Sequence, residues 1–154
     1  MSAVSASLGL GLLEKVLRIV SQRRDFRGDL SQLGDTARME SARLARYADE
    51  DIAAFNEYMA CRRLAKETPQ QREDRECATA AALRTAIEIP MNVARSAIAG
   101  IDLCVCAAGF VHAFVAADLG AATELLAGAV RAALLSVDFN LGQIRMTASS
   151  IATS

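Results

Sequence analysis

The feature that most constrains this chain is the uneven distribution of its charged side chains. Residues 1–90 carry 14 basic and 14 acidic side chains, whereas residues 91–154 carry three basic and four acidic ones. Of all 154 residues, 53% are hydrophobic but only 5% are aromatic, so small and aliphatic side chains supply most of the apolar content. Such a composition favours helices. We therefore predict an all-α bundle of about four to six long helices, one domain over residues 1–154, with the second part buried.

Composition also excludes several classes of function. Seventeen basic against 18 acidic residues, with a pI near 5.8, argue against an electrostatic nucleic-acid binder. Four cysteines in this length do not make a disulfide scaffold, so we expect reduced thiols. No metal is expected, because the chain has one His, and Cys104 and Cys106 would point to opposite sides of a helix. No basic residue precedes the first apolar run as it would in a signal peptide, so we expect a cytoplasmic protein.

Apolar spacing and helix-start signals give the expected helix bounds. The first helix is predicted over residues 2–22 and the second over 29–63, with Asp29 as its N-cap. Thr68, Pro69 and Gln71 form a start signal for the third, since Thr caps, Pro occupies the first position and Gln completes a capping box. Along the second helix, Asp51 lies on an apolar stripe. Its burial would raise the pKa toward a value useful in acid–base catalysis, although a buried Asp paired with an Arg is the alternative.

Later in the chain, Pro90 predicts a kinked helix or two helices nearly end to end. The apolar run 97–117 is long enough to span a bilayer. Asp102 lies inside it and no basic flank follows it, so we favour a core helix of a bundle and expect no membrane. The last helix is predicted from Asp118 to about Leu141, enclosed nearly all round.

Several short motifs follow one another along the chain. The apolar segment SASLGLGLLEKVLRIV is followed by the basic turn 21–26, by Asp51-Ile52-Ala53-Ala54-Phe55, by Leu64-Ala65-Lys66-Glu67-Thr68, by Ile89-Pro90, by Asp118-x-Gly120 and by a run ending in Asn140. In this order they resemble the formiminotransferase-cyclodeaminase fold family. That family has a small-residue first core helix, a Gly-Lys-Lys-x-Tyr type turn, and Asp-x-x-Ala-Phe, Leu-Pro-Lys-x-Thr, Val-Pro and Ser-Asp-x-Gly motifs.

The resemblance implies a dimeric folate enzyme that needs no metal. Its reaction would be addition or elimination at a one-carbon bridge between two nitrogens of a tetrahydrofolate derivative. Asp118 matches the family position for the carboxylate that moves protons, with a helix N-cap as the alternative role. Arg23, Arg24 and Lys66 would hold the carboxylates of the folate tail. Alternatively, these cations complement helix C-termini.

This sequence departs from the family in one loop and at both ends. The family's asparagine-rich loop is replaced by Val111-His112-Ala113-Phe114, so His112 and Phe114 would rebuild the pocket for a less polar substrate. A core or interface position is the alternative for His112. The family's Pro-Gly-Gly-Gly-Ser loop and its outer first and last helices are not found in these residues. Their loss would expose a large apolar face, which a homodimer would bury.

Three functions are therefore in competition. The first is a cyclohydrolase or cyclodeaminase acting on methenyl- or formimino-tetrahydrofolate, with Asp118, His112 and Asp51 as catalytic candidates. The second is a repurposed enzyme that acts on a different, less polar substrate through Asp118 and His112. The third is a non-catalytic folate-binding or structural relative.

Overall fold

The computed structural model describes the backbone of residues 1–151 and the side chains of residues 1–144. Its four helices are α1 (Ser2–Ser21), α2 (Ser31–Cys61), α3 (Pro69–Ala108) and α4 (Ala113–Ile151), and the described residues contain no strand. The predicted all-α bundle is confirmed. Helix α1 contacts the other three helices, and α3 contacts both α2 and α4.

Because α1 has 20 residues and the other helices have 31 to 40, the bundle has two unlike halves. The four-helix half contains α1 together with the α1–α2 and α3–α4 connections. The three-helix half is built from α2, α3 and α4 and contains the α2–α3 connection. The main hydrophobic core lies in the four-helix half, where Leu10, Leu13, Val16 and Leu126 are fully buried. Residues 91–154 thus contribute much of the core, but α1 from the charged part of the chain contributes too.

Two glycines let α1, α3 and α4 approach one another around Leu126. A Cβ atom at Gly9 would lie 2.8 Å from Leu126 Cγ and 3.0 Å from the backbone oxygen of Ala122. A Cβ atom at Gly100 would lie 3.0 Å from both Leu10 Cδ2 and Leu126 Cδ2. Such distances are shorter than ordinary packing allows. The wealth of small residues in the sequence therefore serves close helix packing.

Helix α3 begins as the sequence predicts. The backbone N–H of Gln71 donates to Thr68 Oγ1 at 3.2 Å, and the backbone N–H of Thr68 donates to Gln71 Oε1 at 3.1 Å. Pro69 occupies the first helical position. This reciprocal capping box satisfies two backbone donors that the first turn leaves without helical partners.

Helix α3 continues through Pro90 rather than ending there. A proline has no N–H, so the carbonyl of Ala86, four residues earlier, loses its helical donor. The side chain of Asn140 on α4 replaces that donor, with Nδ2 2.8 Å from the Ala86 oxygen. Two motifs separated by 50 residues of sequence therefore form one interaction.

Helix α4 differs from its prediction in its bounds and its exposure. It begins at Ala113, five residues before Asp118, and continues past Leu141 to Ile151. One face is buried through Leu126 and neighbouring small residues, but the opposite face leaves Leu135 71% and Phe139 67% exposed. The prediction that this helix is enclosed nearly all round is therefore wrong within one chain.

The apolar run 97–117 is divided between two helices by the connection at residues 109–112. By length and composition alone, α3 and the stretch Ala113–Ile144 of α4 are each sufficient to cross a membrane. Core helices of soluble proteins have the same property. In this bundle both helices pack against each other and against α1.

Candidate functional site

Most of the candidate site residues lie at one end of the four-helix half, namely Arg23, Arg24, His112, Phe114 and Asp118. There the α1–α2 and α3–α4 connections meet through Phe26 and Phe110, whose rings pack edge to face with centroids 6.0 Å apart. Edge-to-face packing is a favoured geometry for an aromatic pair. This contact fixes the basic turn after α1 beside the start of α4.

A cation from α1 and a carboxylate from α4 form an ion pair at this end. Lys15 Nζ lies 2.8 Å from Asp118 Oδ2. The side chains are 46% and 34% exposed, respectively, so solvent or a ligand can reach both. Asp118 lies in the second turn of α4, which rules out the N-cap role considered as the alternative.

Lys15 also lines a cleft with a volume of about 650 Å³. The cleft lies between α1, the α1–α2 connection and the start of α2, and Arg18 and Arg38 add two further cations to its wall. Asp29 is also part of the wall, where its carboxylate accepts the backbone N–H of Ser31 at 2.8 Å. That hydrogen bond holds the pKa of Asp29 below its ordinary value. Glu14 lines the cleft as well, so three cations and two carboxylates share its wall, and Arg38 is paired with Asp35.

His112 and Phe114 both lie on the surface at the start of α4. His112 is exposed and its imidazole makes no hydrogen bond to the described residues, so a core position for it is wrong. Phe114 is 100% exposed. It precedes Asp118 by four residues on α4, so the two side chains are neighbours on one helix face.

The two arginines of the basic turn differ in their surroundings. Arg23 makes a bidentate pair with Asp25, in which Nε donates to Oδ1 at 3.0 Å and Nη2 donates to Oδ2. These hydrogen bonds lower the pKa of Asp25. Arg24 is exposed and its guanidinium has no partner among the described residues. Arg24 is therefore freer than Arg23 to hold a ligand.

Asp51 and Lys66 lie away from this end of the molecule. Asp51 is exposed on α2, so its expected burial is wrong. The buried carboxylate of α2 is instead Glu40, which is 4% exposed and accepts from Arg43 Nη1 at 2.6 Å. Lys66 belongs to the α2–α3 connection. The 31 residues of α2 separate it from the Asp118 end by about 45 Å at 1.5 Å per residue.

Sequence reasoning missed Lys15, although a signal for it was present. Glu14 and Lys15 interrupt the apolar and small residues of α1, and an isolated cation on such a helix needs a partner or solvent. The partner, Asp118, lies 103 residues further along the chain, which local patterns do not show. Among residues 1–144, no three His, Cys, Asp or Glu side chains converge as metal ligands would.

The fold and this site define an all-α bundle with a carboxylate–ammonium pair beside a cleft with charged walls. The family profile described as formiminotransferase-cyclodeaminase matches residues 1–151. The chain therefore belongs to the formiminotransferase-cyclodeaminase family, as its motif order predicts.

Individual relatives agree with this assignment. Formimidoyltransferase-cyclodeaminases of Rattus norvegicus and Mus musculus are each 31% identical over 98 residues, and that of Sus scrofa is 29% identical over the same length. These matches cover 62% of this chain, which spans only 18% of each relative. The crystal structure of formiminotetrahydrofolate cyclodeaminase from Thermotoga maritima superposes with a TM-score of 0.78 and 18% identity. The superposition covers 99% of this chain and 74% of the Thermotoga maritima chain, and it shows that the two share a fold.

Proposed function

We propose that this protein is a folate-dependent one-carbon enzyme that acts on methenyl- or formimino-tetrahydrofolate. The observation that carries the proposal is the Lys15–Asp118 ion pair in a chain of this family, where Lys15 also lines a cleft with charged walls. Relatives named for cyclodeaminase activity support the same class of reaction.

The proposed chemistry is proton transfer at a one-carbon bridge between two nitrogens. The carboxylate of Asp118 takes a proton from the attacking group and returns one to the leaving nitrogen, which is ammonia for a formimino substrate. Lys15 is a positioning residue, because its ammonium group orients the Asp118 carboxylate through their 2.8 Å contact. A positioned acid–base group contributes roughly 10²–10⁴-fold to rate.

The cations of the cleft supply the binding part of this proposal. Arg18 and Arg38 line the cleft with Lys15, and Arg24 is exposed at the same end of the bundle. Guanidinium groups match carboxylates with paired hydrogen bonds. We expect them to hold the glutamate carboxylates of one folate molecule while its ring system reaches Asp118.

Purified protein mixed with each of the two folates tests this proposal. Hydrolysis of methenyl-tetrahydrofolate removes its near-ultraviolet absorbance, whereas deamination of formimino-tetrahydrofolate creates that absorbance and releases ammonia. We expect acceleration of one reaction over the uncatalysed rate. Binding of both folates without turnover of either would favour a non-catalytic relative instead.

A second candidate is an enzyme for a different, less polar substrate. It is favoured by one observation: the ring of Phe114 is fully exposed and the imidazole of His112 is exposed, in the segment that by resemblance replaces the family's asparagine-rich loop. Under this proposal His112→Ala abolishes turnover of the true substrate and leaves thermal unfolding unchanged. Full turnover by that variant would reject it.

We also propose a homodimer in the cytoplasm. The exposed apolar side chains on the outer face of α4, Leu135 and Phe139 among them, support a second copy as the covering partner. The four cysteines are unpaired, which suits a reducing compartment. Light scattering at micromolar concentration is expected to give twice the mass of one chain.

A further inference from the structure

A second basic site lies at the other end of the molecule, beside the α2–α3 connection. Arg62 from the end of α2, Lys66 from the connection, and Arg72 and Arg75 from the start of α3 line a pocket of about 280 Å³. Glu76 is the one acidic residue in its wall. Four cations therefore converge from three chain segments on a small volume.

These four cations have no acidic partner in the part of the chain with described side chains. Elsewhere on α2 the arginines find local partners, since Arg38 pairs with Asp35 and Arg46 with Glu50. None of the four pocket cations makes an ion pair of this kind, although several carboxylates follow in the first turns of α3. One of these, Asp74, instead accepts from Gln70 Nε2 at 3.0 Å. Like charges held close together repel, and a bound anion would relieve that repulsion.

The pocket is also held in shape before any ligand arrives. The guanidinium of Arg62 lies over the ring of Tyr58, 5.8 Å from its centroid. Arg72 Nη1 donates to the backbone oxygen of Lys66 at 3.4 Å, and the Thr68–Gln71 capping box fixes the connection between them. Groups fixed in advance lose less conformational entropy when a ligand binds.

We propose that this pocket binds a compact ligand that carries two or more oxyanion groups, either phosphates or carboxylates. Arginine forks form paired, charge-assisted hydrogen bonds with both kinds of group. A volume of about 280 Å³ lies just below the usual range of ligand pockets, about 300 to 1,000 Å³, so the ligand is small. Within one chain the length of α2 separates this site from Asp118, and the proposal does not rest on the folate function.

Calorimetric titration of the whole chain with pyrophosphate and, separately, with citrate tests this site. No folate is present, so the result does not depend on turnover at Asp118. The variant Arg72→Gln/Arg75→Gln removes two pocket cations, and Arg84→Gln/Arg131→Gln is its control because both arginines are exposed outside the pocket. Thermal melting of each variant shows that it is folded.

We expect the wild type to bind at least one of the two anions, and the better ligand identifies phosphate or carboxylate as the preferred group. Each hydrogen bond to a charged group contributes enough that losing two weakens binding by about tenfold or more. The control variant should keep wild-type affinity, and raised salt should weaken binding. Absence of binding for both anions, or equal weakening in the two variants, would overturn the proposal.

Discussion

The two halves of the bundle are stabilised in different ways. In the four-helix half, small and aliphatic residues pack closely around Leu126, and the ion pair of Lys15 and Asp118 at its surface joins α1 to α4. In the three-helix half α1 is missing, fewer side chains are buried, and identifiable hydrogen bonds hold the helices and their ends, such as Asn140 to Ala86 and the Thr68 capping box. Substitutions that add volume should therefore destabilise the four-helix half most, and substitutions that remove a hydrogen-bond partner should destabilise the three-helix half most.

The largest expected effect is Gly9→Ala in the four-helix half. The new methyl group would lie 2.8 Å from Leu126 Cγ, which is in the middle of a side chain and cannot swing away freely. Overpacking of this kind destabilises by about 1–3 kcal/mol. Chemical denaturation measures it, with Gly11→Ala as the matched control because nothing lies within 4 Å of a Cβ there. Equal stability of the two variants would contradict close packing at Gly9.

The next largest loss of stability is expected for Asn140→Ala, at the contact between α3 and α4. It leaves the part-buried Ala86 carbonyl without a donor, at a cost of about 1–3 kcal/mol. In a Pro90→Ala background the restored backbone N–H can bond that carbonyl, so the same substitution should cost much less. A double-mutant cycle measures this coupling. Additive effects would show that Asn140 does not act through Pro90.

Thr68→Ala tests the end of the three-helix half. It removes the oxygen that accepts from the Gln71 backbone, and loss of such a cap costs about 1 kcal/mol. Thr36→Ala is the control, since its hydroxyl only donates to the Gln32 carbonyl within α2. Thermal unfolding should distinguish the two. If Thr36→Ala lost as much stability as Thr68→Ala, the effect at Thr68 could not be assigned to its capping hydrogen bond.

The smallest expected effect on the stability of the single chain is that of Leu135→Ser on the outer face of α4. The side chain is 71% exposed, so the change should stay within about 0.5 kcal/mol in the monomer. Its consequence should instead be a shift of the mass in light scattering from dimer to monomer. Dimers that persist at the same concentration in this variant would place the interface elsewhere.

Local sequence signals were sufficient to predict the all-α class, the start of α3 and the family. They depend on neighbouring residues or on motif order, as Thr68 and Gln71 illustrate. The Lys15–Asp118 pair was not predictable, because it joins residues 103 positions apart on different helices. The predicted burial of Asp51 was wrong for a related reason. An apolar stripe on α2 is buried only where a neighbouring helix covers it, and the covered carboxylate of α2 is Glu40. Lys66 and Asp118 both belong to motifs of the family, but motif order does not show that the length of α2 separates them in space.

The most direct test of the account compares two carboxylate variants in the same turnover assay with methenyl- and formimino-tetrahydrofolate. Asp118→Asn removes the acid–base group beside Lys15, whereas Asp51→Asn changes an exposed carboxylate on α2. We predict a loss of about 10²–10⁴-fold in kcat for Asp118→Asn, with thermal stability retained, and wild-type turnover for Asp51→Asn. Full activity in Asp118→Asn, or a loss confined to Asp51→Asn, would contradict the assignment of the site to the four-helix half.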